Sequence, residues 1–228
     1  MRAAMMMIGL GALAGVAGVA GANVADFDLE TEGFKGASFT SGGITFFDLN
    51  THAGMNVDGS SFVAGEYGTD LIVERAVALA GDFPGQVSSP NVLGWGNAFV
   101  PGDNLTINIF SDLAMTTGSV ENFVSMDMFY YENGPWGGIE LHLDAMLNGS
   151  VVGSDGFTIA DGGGRDNITS ATLTIDGVMF DELRLYATLS DGTFTAMTGV
   201  LDNVTITPAP SGVALLGLGG LAMTRRRR

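Results

Sequence analysis

The 228-residue chain contains no cysteine, two histidines, two tryptophans and nine basic residues against 25 acidic ones. Without cysteine there is no disulfide framework, and thiol nucleophiles and thiolate metal sites are excluded. Two histidines, His52 and His142, leave little room for a transition-metal centre. The shortage of cations is uneven. Arg2, Arg225, Arg226, Arg227 and Arg228 lie at the two ends, so the stretch 23–207 sets Lys35, Arg75, Arg165 and Arg184 against all 25 carboxylates, a charge of −21. Such a surface repels phosphate backbones and anionic lipid, so no nucleic-acid partner is expected, while divalent cations are attracted. Other signatures are missing too. There is no Gly-x-Ser-x-Gly elbow, and "GGGRDN" lacks the lysine of a phosphate-cradling loop. The compact Glu-x-Asp-x-x-Glu strand motif of several lectin-like glycosidases is absent, and the adjacent Asp181 and Glu182 are expected on opposite faces of a strand. The chain is therefore read as non-catalytic, with a secreted carbohydrate-active hydrolase as the alternative.

Helical periodicity is nearly absent; "DLIVERAVALAG" (Asp70 to Gly81) is the one helix candidate, and it reads equally as a strand. Elsewhere, short alternating runs are broken by Gly, Asn and Asp. Strands are predicted at Gly42–Leu49, Asn104–Phe110, Ser119–Glu132 and Gly138–Leu147, then in "GSVVGSDGFTIA", "ITSATLTIDG", "FDELRLYATL" and "VLDNVTIT". The second pair is expected to form a long hairpin turned by "NGPWG", and Asn148-Gly149 a second hairpin turn. Eight to ten strands at this spacing predict an all-β, antiparallel two-sheet sandwich of jelly-roll or lectin-like type.

The ends carry a different pattern. Arg2, the apolar run to about Ala20 and the small-x-small Ala20-Gly21-Ala22 predict a secretory signal peptide over 1–22, with an uncleaved membrane helix as the alternative. The sandwich then occupies 23–207. Pro208 and Pro210 close the last strand, Gly212 to Met223 is a short apolar run, and the four final arginines form a cytoplasmic stop-transfer. "PAPSGVALLGLGGLAMTRRRR" resembles a PEP-CTERM sorting signal, with its Pro-x-Pro motif, short transmembrane helix and Arg cluster. The resemblance implies an exosortase-like processing enzyme as partner, transient membrane insertion of the tail, and delivery to the bacterial cell surface or an exopolysaccharide-containing matrix. The motif here is Pro208, Ala209, Pro210 and Ser211, where the family's namesake has Glu in place of Ala209. A simple tail anchor is the alternative. The body phrases "DFDLETEGF", "SGGITF", "FDELRL" and "LDNVTIT" resemble exported bacterial jelly-roll domains of carbohydrate-binding type, which implies the architecture.

Three groups are candidate sites. Asp26, Asp28 and Glu30 alternate near the start of the body, and Asp202 lies in the last strand; if these strands adjoin, their oxygens suit a structural Ca2+. The loop "SDGFTIADGGGRDN" (Ser154 to Asn167) reads as a flexible hairpin end. In "IELHLDA", Glu140, His142 and Asp144 share one strand face, as a ligand ladder or simply a wet face. Trp95 and Trp136 sit in Gly-rich turns, either as stacking platforms for a polysaccharide or as caps on the core.

Overall fold

Period-two alternation decides which face of each strand turns inward. Ile139, Leu141, Leu143 and Ala145 are buried, whereas Glu140, His142 and Asp144 lie on the other face. Leu183, Leu185 and Ala187 are buried in the same way, with Glu182, Arg184 and Tyr186 opposite. The computed structural model describes residues 21–55, 61–65, 71–75, 90–95, 112–131, 139–159, 168–195 and 199–209. Among these there are sixteen strands and no helix, and Gly21–Ala209 forms one compact unit.

The strands form two sheets. Sheet I contains β1 (Asn23–Ala25), β2 (Gly33–Gly36), β7 (Leu71–Arg75), β8 (Asn91–Trp95), β10 (Glu121–Tyr131), β13 (Ile168–Phe180) and β16 (Gly199–Pro208). Its order is β13-β10-β16-β8-β7-β2, with β1 also on β16. Sheet II contains β3 (Ser38–Ser41), β4 (Ile44–Asp48), β5 (Gly54–Met55), β6 (Ser61–Phe62), β9 (Leu113–Thr116), β11 (Ile139–Leu147), β12 (Ser150–Ile159), β14 (Glu182–Thr188) and β15 (Phe194–Thr195). At its centre β14 pairs with β11 on one edge and with β9 and β15 on the other. Pairing is antiparallel except for a single parallel bridge between β15 and β5. The chain crosses between sheets at β2–β3, β6–β7, β8–β9, β9–β10, β10–β11, β12–β13, β13–β14 and β15–β16, the interleaving of a jelly-roll-type sandwich. Between the sheets lies one apolar core that includes Phe27, Phe46, Trp95, Met126, Met128 and Phe180. Burying each such side chain contributes roughly 1.5–3 kcal/mol.

Two turns show why particular residues are needed. Asn148 and Gly149, at φ 50° and 77°, join Leu147 to Ser150 as the predicted two-residue hairpin, which requires positive φ at both positions. Gly42 (φ +55°) links β3 to β4, and a Cβ there would lie 1.7 Å from the carbonyl oxygen of Val24. Only glycine lets the hairpin approach β1 so closely.

Some expectations are corrected. Ser119–Glu132 and Gly138–Leu147 do not form a hairpin together. The strand β10 pairs with β13 and β16, and β11 with β12 and β14, in the other sheet. Both are apolar on one face, and the core is best filled by placing those faces against each other across the sandwich rather than side by side in one sheet. In Asp70–Gly81, Leu71–Arg75 is a strand, not a helix: Leu71, Ile72 and Val73 are all buried, and β7 lies between β8 and β2. Of the two overlapping readings of Ser154–Ile159, the strand in "GSVVGSDGFTIA" holds and the flexible hairpin end does not: the segment belongs to β12, and Asp155 accepts the Thr174 N–H at 2.7 Å, clipping β12 to β13. The last strand includes Pro208, and the Ala209 N–H donates to the Val120 carbonyl at 3.3 Å. The predicted strand Asn104–Phe110, the signal-peptide run to Ala20 and the tail from Pro210 onward lie outside the described residues. Among the described residues no helix is long and apolar enough to cross a membrane.

Candidate functional site

The outer face of sheet II follows directly from strand register. Glu140, His142 and Asp144 of β11 stand opposite Thr188, Tyr186 and Arg184 of β14. Cross-strand partners share a face, so the ladder seen in "IELHLDA" is joined by a second row that the alternation of "ELRLYAT" places beside it. On the far side of β14, Phe194 pairs with Thr188. The segment Thr51–His52 then folds over these residues.

Four rings form a continuous ledge. His52 stacks on Phe194 with centroids 3.8 Å apart and planes at 12°. His52 and Tyr186 meet at 4.6 Å, Tyr186 and Phe194 at 5.4 Å, and His142 stacks on Tyr186 at 4.9 Å. The two imidazole side chains keep 27% and 30% of their surface exposed, so the ledge is open to solvent.

Carboxylates fix the rings. Asp112 is fully buried, and its Oδ2 accepts the Thr51 N–H and hydroxyl, each at 2.6 Å, and the His52 N–H at 3.0 Å; His52 Nδ1 lies 3.2 Å away. Asp144 accepts the Tyr186 hydroxyl at 2.9 Å and the Ser154 hydroxyl at 2.6 Å. Burial, then the hydrogen bond and charge of Asp144, then the charge of Asp112, push the Tyr186 phenol well above its ordinary range. Tyr186 is therefore a neutral O–H donor throughout the physiological range. His142 Nε2 and the Thr188 hydroxyl are 2.8 Å apart.

Four residues along β14 from Tyr186, roughly 13 Å, the same face deepens into a groove of about 630 Å³ lined by Phe47, Leu49, Ala114, Val120, Asp181 and Glu182, among others. Asp181 and Glu182 do not diverge as their adjacency predicts. Asp181 sits in the bend between β13 and β14, where strand alternation does not apply, and both line the groove. Glu182 Oε1 accepts from Arg184 Nε at 2.6 Å. An apolar floor flanked by hydroxyls and carboxylates suits a polar ligand with one apolar face.

The first and last strands do adjoin, as the calcium reading required: Val24 pairs with Thr205 and Ala25 with Val204. Beside them β16 bulges at Asp202–Asn203, with Asn203 at φ 51°. The extra residue resets the alternation, so that Leu201 points inward before it and Val204 and Ile206 after it. The bulge leaves Asp202 only 2% exposed, and its carboxylate accepts the Asn203 N–H at 2.7 Å. Burial first, then the charges of Asp28, Asp127 and Asp26, raise its pKa to about 7. Asp127, which faces Asp202 across β10–β16, was not identified from sequence, because only strand register brings the two together. Glu30 contributes to the turn through its backbone: its N–H donates to the Phe27 carbonyl and its carbonyl accepts from Asn91 Nδ2, each at 3.0 Å. Among the described residues no group of three or more His, Asp or Glu side chains stands in metal-holding geometry.

Trp95 is not an exposed platform. It is fully buried on β8, in the core between the sheets, because Gly94 pairs with Ile72 of β7 and Trp95 itself with Gly199 of β16, so the segment is a strand rather than a loop tip. Trp136 and the tail residues Pro210, Ser211 and Arg225 to Arg228 lie outside the described residues.

The fold is thus an antiparallel two-sheet β-sandwich of jelly-roll type. Solved structures with a similar course include an adhesin domain of Lys-gingipain from Porphyromonas gingivalis, at 12% identity and TM-score 0.39 over 79% of this chain and 99% of that one. An arabinose-bound α-L-arabinofuranosidase matches at 14% identity and TM-score 0.35 over 61% of this chain, but only 22% of that one. A xylan-binding domain from Paenibacillus barcinonensis matches at 11% identity and TM-score 0.27 over 82% of this chain and 94% of that one. At these values the likenesses carry nothing about ligand or reaction. No protein-family model matches the chain, nor does any curated protein.

Proposed function

We propose that the protein is a non-catalytic, exported surface or matrix domain that binds polysaccharide on the outer face of sheet II. The ring ledge of His52, Phe194, Tyr186 and His142 supports this most directly. Pyranose rings carry an apolar C–H face that packs on such rings, and hydroxyls that pair with carboxylates such as Glu140 at the ledge's rim. The ledge takes the role that sequence gave to Trp95.

Affinity electrophoresis of the full-length chain through gels containing a panel of polysaccharides tests the reading. At least one polysaccharide is expected to retard the native protein and not a Tyr186→Ala variant that still unfolds cooperatively. Retardation of neither protein by any polysaccharide removes the reading. Reducing-end release from a bound polysaccharide would instead establish the hydrolase alternative.

Delivery is proposed from the Pro208–Ala209–Pro210 tail. The intact mass of protein recovered from host medium is expected to lack both the signal peptide and the tail. A membrane-bound product retaining Arg228 would replace sorting with simple anchoring.

A further inference from the structure

We infer that the glycan taken by the sheet II face carries protonated amino sugars; this rests on the polysaccharide reading above. The argument is one of charge complementarity around the rings. Asp112, Glu140, Asp144, Asp181 and Glu182 lie on or just under the ledge and groove, and Arg184 is the one guanidinium on this face among the described residues, already held by Glu182. Lys35 and Arg75 are spent elsewhere: Lys35 lies over the Phe39 ring at 5.1 Å and Arg75 pairs with Glu32.

The carboxylates are not equivalent. Asp112 and Asp144 are satisfied by protein donors and orient the rings. Glu140 is different. Its side chain is 49% exposed, and the nearest cation-forming group is His142 Nε2 at 3.9 Å, at the edge of the His142–Tyr186 stack. A sugar stacked on Tyr186 would present a ring substituent to Glu140. A hydroxyl there gains an ordinary hydrogen bond, whereas an ammonium gains a charge-assisted one. A uronate would place its carboxylate among five others of the same sign.

The test compares three hexasaccharides by titration calorimetry against the full-length chain, at a pH where glucosamine is protonated: β-1,4-glucosamine, its fully N-acetylated counterpart and a uronic-acid oligomer. The glucosamine hexamer is expected to bind best, and its affinity to fall several-fold as salt rises to physiological strength and beyond. Glu140→Gln is expected to weaken it by about threefold to tenfold while leaving the N-acetylated hexamer unaffected. Bulk attraction to so acidic a protein is separated by Tyr186→Ala, which leaves the total charge unchanged. Glucosamine binding that survives Tyr186→Ala intact overturns the proposal. Equal affinity for the N-acetylated hexamer, or preference for the uronate, also overturns it and leaves the polysaccharide reading standing. Binding of none of the three, together with no retardation by any polysaccharide, removes both. Tyr186→Phe keeps the ring and is expected to retain binding, which guards against a folding defect in the alanine variant.

Discussion

Two carboxylate-rich regions of this sandwich behave in opposite ways. On sheet II, Asp112 and Asp144 each meet several donors, from Thr51, His52, Tyr186 and Ser154, and these contacts align a set of rings. At the bulge of sheet I, Asp202 has one backbone donor and three carboxylate neighbours. Burial is comparable, since Asp112 is 0% and Asp202 2% exposed. The difference lies in the supply of donors. A buried anion that collects N–H and O–H groups organises its surroundings, whereas one crowded by its own kind takes up a proton.

The comparison can be broken most forcefully at Asp112. Asp112→Ala strands four donor contacts around a buried void and is expected to lower unfolding free energy by about 3–5 kcal/mol in urea titrations. It should also free His52 from Phe194. A cost under about 1 kcal/mol would mean that this carboxylate does not organise the ledge.

Asp202 should show the reverse. Its pKa of about 7 lies above the ordinary 3.8, so between those values the native state holds a proton that the unfolded chain has released. The stability it contributes is complete below about pH 4, falls as pH rises through 7, and is flat beyond. The expected decline is up to about 4 kcal/mol. Asp202→Asn is expected to remove this slope and to be the more stable protein at pH 8. An unchanged slope in the variant would place the titration elsewhere.

A smaller effect tests how β1 sustains the crowding. Gly42→Ala would drive a Cβ into the Val24 carbonyl at a positive φ and should cost about 2 kcal/mol. As β1 shifts, Asp26 and Asp28 move from Asp202, and the midpoint of the pH-dependent decline should move downward. Smallest of all, Tyr186→Phe removes one hydroxyl from Asp144 and is expected to cost about 1 kcal/mol with the ledge intact. Histidine ring-proton shifts in NMR would report whether the stacks persist.

Much of the sandwich was legible in the chain. The alternation in "IELHLDAML" and "ELRLYAT" and the Asn148-Gly149 turn follow from local pattern, and the neighbouring first and last strands from the sandwich architecture. The pairing of Ser119–Glu132 with Gly138–Leu147 was misread, because each strand's pattern fixes its buried face and says nothing of which sheet it joins. For Trp95 the platform reading fails and the core reading holds for a related reason: glycine on both sides suggests a loop, and only β7 and β16 pairing on either side of β8 turns that segment into the core.

The sequence alone determined an acidic, disulfide-free, all-β body and the inward face of "IELHLDA", because alternation and turn chemistry act over a few bonds. Tertiary structure alone decided the two regions compared above. His52, Asp112, His142, Tyr186 and Phe194 are far apart along the chain, as are Asp26, Asp127 and Asp202. Strand register and a single bulge bring each set together, and burial beside other carboxylates raises the pKa of Asp202.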